Sequence, residues 1–107
     1  MSFTDEKYKL FGDYQEQYKL RSIWSIYSVE NLDAFSGLSG TELVYCNHWG
    51  DETVRIPLKS GDLTWGELYH AADKLIRQSG DEHHVFIESL TVRKGPNGQY
   101  LELDTGS

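Results

Sequence analysis

One stretch of the chain carries every signal that a helix needs. Residues 63 to 80 read Leu-Thr-Trp-Gly-Glu-Leu-Tyr-His-Ala-Ala-Asp-Lys-Leu-Ile-Arg-Gln-Ser-Gly. Thr64 and Glu67 have the spacing of a capping box, in which each side chain satisfies a backbone N–H at the helix start. Leu63 and Leu68 occupy the two positions of a hydrophobic staple, and Gly80 stands where a left-handed residue ends a helix. Trp65, Leu68, Ala72, Leu75 and Ile76 recur at helical spacing as an apolar stripe, while His70, Asp73, Lys74 and Arg77 point elsewhere. Asp73 and Arg77, four residues apart, are expected to pair at a gain of only a few tenths of a kcal/mol. The predicted helix spans 64–79 and divides the chain into strand-like segments on either side.

Before it, residues 3–20 fit two descriptions, a helix or an extended arm. Phe3, Lys7, Leu10, Phe11, Tyr14 and Tyr18 recur at helical spacing, with Thr4 as the candidate cap, but Gly12 interrupts the pattern. Residues 21–29, rich in β-branched and aromatic types, read as a strand, with a helix as the competing reading. Residues 30–40 form a loop that either folds Phe35 back on the core or presents it to a partner. Residues 41–58 read as a hairpin. A type II′ turn at Gly50-Asp51 would set Trp49 opposite Glu52, Leu43 opposite Leu58, Tyr45 opposite Ile56 and Cys46 opposite Arg55. Leu43 and Tyr45 then share the core face with Ile56 and Val54, and Pro57 marks an edge or a strand end.

After the helix, His83 to Lys94 and Gln99 to Asp104 read as a second hairpin around Gly95-Pro96-Asn97-Gly98, with Asn97 and Gly98 as left-handed residues. Leu101 and Leu103 should face in; Tyr100, Glu102 and Asp104 should face out. The expected fold is therefore α+β. It is a single domain over residues 1–107 with frayed ends at 1–3 and 105–107. A mostly antiparallel sheet of about five strands carries the 64–79 helix on one face, with an N-terminal helix as an option.

Composition limits the function classes. Seventeen acidic residues against ten basic give a net charge of −7. Phosphate backbones repel such a surface, so direct nucleic-acid binding is not expected. The same charge would steer the protein toward a basic partner. Three Trp, seven Tyr and four Phe supply a core in a chain that is only 38% hydrophobic. The single cysteine, Cys46, rules out an internal disulfide. The opening Met-Ser-Phe-Thr-Asp-Glu-Lys has no apolar signal segment and no run suits a membrane span, so a cytoplasmic location with no membrane contact is the expectation.

No motif identifies a family or a catalytic centre. Cys46 and His48 share a strand face, but the two further ligands that a zinc site needs are not supplied by any recognisable spacing. Read as a thiolate and its base, the same pair would need a positive setting, which Arg55 opposite Cys46 could provide. His83 and His84 are consecutive in an extended segment and so point to opposite faces. No catalytic residue, metal ligand or cofactor is assigned. The surface that stands out is the Trp49-Gly50-Asp51-Glu52 tip, an indole beside two carboxylates.

The expected function is that of a small, acidic, non-enzymatic protein-binding module of the inhibitor, immunity or adaptor type. Phe35, His48, Trp49, Asp51, Glu52 and Tyr100 are its candidate partner-binding residues. The alternative is a ligand-binding or enzymatic pocket between helix and sheet using His48, His83 or His84; a DNA mimic is a minor third reading. Open sheet edges leave a homodimer as an option.

Overall fold

The computed structural model describes residues 3–46, 53–80 and 84–106, with side chains in the first helix from Lys9 onward. In chain order the elements are α1 (Phe3–Tyr18), β1 (Ile23–Trp24), β2 (Glu42–Cys46), β3 (Thr53–Pro57), α2 (Trp65–Ser79), β4 (Phe86–Gly95) and β5 (Gly98–Gly106). The strands form one mixed sheet in the order β1-β4-β5-β2-β3. The β4–β5 and β2–β3 pairs are antiparallel, whereas β1–β4 and β2–β5 are parallel. The fold is the expected α+β arrangement of five strands, with an N-terminal helix.

The α2 helix begins and ends as its sequence dictates. The Glu67 amide donates to Thr64 Oγ1 at 3.1 Å, and the Thr64 amide donates to Glu67 Oε1 at 3.1 Å. Lys59 also bonds the Glu67 carboxylate. That bond first, and the Thr64 amide second, hold the Glu67 pKa below the usual carboxylate range. At the other end Gly80 adopts φ +74 and its amide donates to Arg77 O. Leu63 and Leu68 are both buried in the core cluster.

The core lies between α2 and the sheet. Leu68, Ala72, Leu75 and Ile76 meet Leu43, Tyr45, Ile87, Leu101 and Leu103 there, all buried. Each such aliphatic side chain contributes about 1.5–3 kcal/mol when removed from water. Tyr69 is also fully buried, and its hydroxyl donates to Ser22 O at 2.7 Å. Burial drives its phenol pKa upward.

Asp73 corrects the sequence reading. It was expected to face outward and make a weak surface pair, yet it is 4% exposed. Its Oδ1 accepts from the Arg21 amide at 2.8 Å, the Ser22 amide at 2.7 Å and the Ser22 hydroxyl at 2.7 Å. Its Oδ2 accepts from Arg77 Nε at 2.8 Å, and Arg77 Nη2 donates to Lys19 O at 3.0 Å. One carboxylate thus ties α2 to the connection between α1 and β1.

That tie explains why β1 is short. The predicted strand over 21–29 reduces to Ile23–Trp24. The amides of Arg21 and Ser22 are spent on Asp73, so pairing starts at Ile23, whose amide donates to Val85 O at 2.8 Å. Beyond Ser25 the chain turns, with Val29 N bonded to Ile26 O, to bury Val29 and Leu32.

Four further expectations are corrected. The α1 helix is formed, but Thr4 lies inside its first turn rather than ahead of it, and Leu10 and Tyr18 are exposed while Phe11 is buried. In the first hairpin Leu43 faces Ile56, Tyr45 faces Val54 and Cys46 faces Thr53. This register is two residues from the one a Gly50-Asp51 turn would set; the turn itself lies outside the described residues. An even shift keeps every side chain on its expected face. In the second hairpin only Gly98, at φ +115, is left-handed; Asn97 is not. Finally, Thr105 is no frayed end: it lies in β5, buried, with its hydroxyl 2.9 Å from Tyr45 Oη.

The end of α1 is strained at one residue. Leu20 N bonds Gln15 O at 2.9 Å and Lys19 N bonds Glu16 O at 3.3 Å, the paired bonds of a Schellman stop. Lys19 supplies the left-handed position at φ +55, where a side chain normally costs about 1 kcal/mol. Lys19→Gly should therefore stabilise the fold by about 0.5–1 kcal/mol, read as a higher urea midpoint at unchanged m-value.

The Asp73 node sets a pH dependence. Burial is the largest influence on its pKa and pushes it up, but the Ser22 amide, the Ser22 hydroxyl and Arg77 together hold it below the usual range. A depressed folded pKa gives stability that is present above the unfolded carboxylate value of about 3.9 and is lost as the pH falls through the folded value. Asp73→Ala should cost about 3 kcal/mol at pH 7, because it leaves buried donors unpaired. That penalty should shrink progressively when urea unfolding is repeated at pH values falling below the unfolded carboxylate value of about 3.9.

Candidate functional site

Two surfaces of the described residues carry the exposed chemistry. The first is the loop before β2. Leu32 anchors it, being buried, and Gly66 N donates to Leu32 O at 2.7 Å. This contact needs a glycine: a Cβ at Gly66 would stand 2.5 Å from Tyr14 Oη and 3.0 Å from Leu32 O. Phe35 then forms a bridge with Thr64, while Ser36 N bonds Leu63 O at 2.8 Å and Trp65 N bonds Ala34 O at 3.1 Å. The backbone around Phe35 is fixed on both sides, yet the residue is 69% exposed. Of the two expectations for this residue, folding back or facing outward, the ring takes the second. Exposed carboxylates flank it: Asp33 precedes it by two residues, and Asp62 adjoins the Leu63 that receives Ser36.

The second surface is the sheet face turned away from α2. The alternation of each strand places Glu42, Val44, Arg55, Thr91, Arg93, Tyr100 and Glu102 there. Arg55 bonds Glu42 at 3.3 Å, and Arg93 approaches Glu102 at 3.6 Å. The parallel β2–β5 pairing covers only Leu43–Leu101 and Val44–Glu102. Next to this short contact lies a shallow groove of about 230 Å³, lined by Thr41, Glu42, Val44, Arg55, Tyr100 and the Gly95–Gly98 turn. Tyr100 is half-buried because its ring lies over Gly95, where a Cβ would meet the ring at 3.1 Å.

Of the residues singled out from sequence, Phe35 and Tyr100 are described, one on each surface. His48, Trp49, Asp51 and Glu52 lie outside the described residues, as does His83. His84 is half-buried at the foot of β4. Cys46 is exposed and faces Thr53, not Arg55, which instead lies across from Val44 and bonds Glu42. The cationic setting imagined for the thiol is therefore absent from its cross-strand position. Among the described residues no three His, Cys, Asp or Glu side chains gather as metal ligands, and no helix is long and apolar enough to cross a membrane. The groove residues Glu42, Val44 and Arg55 were not anticipated, because the groove arises from a parallel pairing of strands distant in sequence. Alternation along β2 and β3 was the one available signal.

An aromatic array completes the α1–α2 side. Tyr14 lies 4.6 Å from Tyr18 and 5.6 Å from Tyr69, and His70 packs edge-on to Tyr18 at 4.8 Å. Trp24 meets Tyr69 at 5.2 Å and Trp65 at 6.0 Å. These rings contact one another, so the array joins α1 to α2 rather than enclosing a ligand. Burial first, then Tyr18, raises the Tyr14 pKa.

No protein-family model, curated protein or solved structure matches this chain. The exposed polar pairs on the outer sheet face should be free of structural duty. Arg55→Ala is expected to change stability by less than about 0.5 kcal/mol in urea unfolding, since its ion pair is solvated.

Proposed function

We propose that this protein is a non-enzymatic binding module, of the inhibitor, immunity or adaptor type, that offers an acidic surface bearing an aromatic anchor to a more basic partner protein. The observation that carries this reading is Phe35, an aromatic residue 69% exposed on a backbone held by three hydrogen bonds to α2 and the residues before it. Leaving that ring in water gives folding nothing, while a pre-ordered backbone lowers the entropy cost of docking it. Asp33 and Asp62 beside it, and the net charge of −7, supply the long-range attraction. The competing reading, a ligand pocket between helix and sheet, gains no support from the described residues there, which form one buried cluster.

The test pairs wild type with Phe35→Ala. Both proteins should unfold at the same urea concentration, because the ring is exposed. On a partner isolated with wild type, Phe35→Ala should bind at least about tenfold more weakly, the effect of losing an interface anchor. The association rate should also fall steeply as salt is raised. Equal binding by the two proteins, with a rate indifferent to salt, would contradict the proposal. A thermal shift with a metal ion or metabolite and none with any protein would favour the pocket instead.

A further inference from the structure

Phe35 offers more than a side chain. Ser36 N donates to Leu63 O and Trp65 N donates to Ala34 O, the two bonds that flank an antiparallel bridge, so Phe35 and Thr64 face each other as a non-bonded pair. In such a pair the amide and carbonyl of each residue point away from the other strand. Thr64 spends both of these outward groups on α2. Its amide donates to Glu67 Oε1 at 3.1 Å, and its carbonyl accepts from Leu68 N at 3.1 Å. Phe35 spends neither: among the described residues no hydrogen bond reaches its amide or its carbonyl. Before it the Asp33 amide is held by Asn31 Oδ1 at 2.9 Å, and after it Gly37 turns the chain at φ +75. Phe35 is therefore a strand edge one residue long, fixed from behind and open in front, and unpaired edge groups accept a further strand.

We infer, resting on the binding role proposed for Phe35, that this edge receives an extended segment of the partner protein with a lysine or arginine opposite Phe35. The segment's backbone bonds the Phe35 amide and carbonyl. Whichever way it runs, one of its residues lies directly across from Phe35, with its side chain on the same face as the Phe35 ring. Charge selects that residue. Asp33 and Asp62 are exposed, and among the described residues neither carboxylate makes an ion pair or a hydrogen bond. A lysine or arginine lays its apolar stem along the ring, gains a cation–π contact and carries its charge toward these carboxylates. An acidic segment, or a second copy of this chain at net charge −7, would be repelled.

The probe is a library of linear heptapeptides displayed on phage and selected on the folded protein. Synthetic copies of the selected peptides should carry lysine or arginine among residues of high strand propensity. They should bind Phe35→Ala at least about tenfold more weakly and lose affinity as salt is raised. Replacing Phe35 by phenyllactic acid, its α-hydroxy counterpart, puts an ester oxygen where the outward N–H stood. That N–H makes no bond within the fold, so the urea midpoint should not move, whereas peptide affinity should fall about fivefold, the loss of one hydrogen bond. N-methylation scanned along the peptide should weaken binding at one position and spare its two neighbours, whose N–H groups face away. Peptides that lose affinity for Phe35→Ala, yet bind the phenyllactate protein like wild type and show no such position, would overturn the strand contact and leave Phe35 as an anchor. Selected peptides without a cationic residue would overturn the choice of occupant. A selection yielding no peptide that depends on Phe35 would overturn the inference together with the binding role it rests on.

Discussion

The Asp73 carboxylate stands on the buried side of α2, and four donors converge on it: two backbone amides, a serine hydroxyl and an arginine. Burying a charge costs several kcal/mol, and hydrogen bonds to a charged group return about 1.5–3 kcal/mol each, so the site holds only because all the donors are present. Its geometric effect is larger than its net energy. Three of these donors come from Arg21 and Ser22, in the connection between α1 and β1, and Arg77 of α2 extends the grip to the carbonyl of Lys19. This fixes where β1 starts, hence its pairing with the foot of β4 and the length of β4 that stays uncovered. It also seats the Schellman stop of α1 beside α2, which brings Tyr14 onto Tyr69 and Tyr18 onto His70.

Local signals were legible and long-range ones were not. The capping box, the staple residues and Gly80 gave the limits of α2, because each acts through neighbours in sequence. Strand alternation gave the correct face for Leu43, Tyr45, Leu101 and Leu103. The β2–β3 register was set wrongly from a Gly-X pair, yet the faces survived because the error was even. Asp73 was read as a surface partner of Arg77, which its spacing suggests. Nothing in the spacing announces that residues about fifty positions earlier will bring amides to it. The parallel β2–β5 contact, and the groove that follows from it, were hidden for the same reason.

The surfaces divide by charge. The Phe35 loop is apolar at its centre and flanked by carboxylates, on a backbone stapled to the start of α2. On β4, Arg93 pairs with Glu102 across to β5, so its charge is balanced on the sheet face. The outer sheet face carries the solvated ion pairs Arg55–Glu42 and Arg93–Glu102, which add little stability. The interior between α2 and the sheet is occupied by packed side chains, so its role is to hold these surfaces in place.

The central claim is that a buried, charged Asp73 organises this scaffold, and the amide proton of Ser22 reports on it directly. Followed by NMR through an acid titration, that proton should be protected from exchange at neutral pH. Its shift should move with an apparent pKa below that of an ordinary carboxylate, and Asp73→Asn should abolish the titration while leaving the α2 caps intact. Solvent-like exchange of the Ser22 amide, or a titration at the ordinary carboxylate value of about 3.9, would contradict the account.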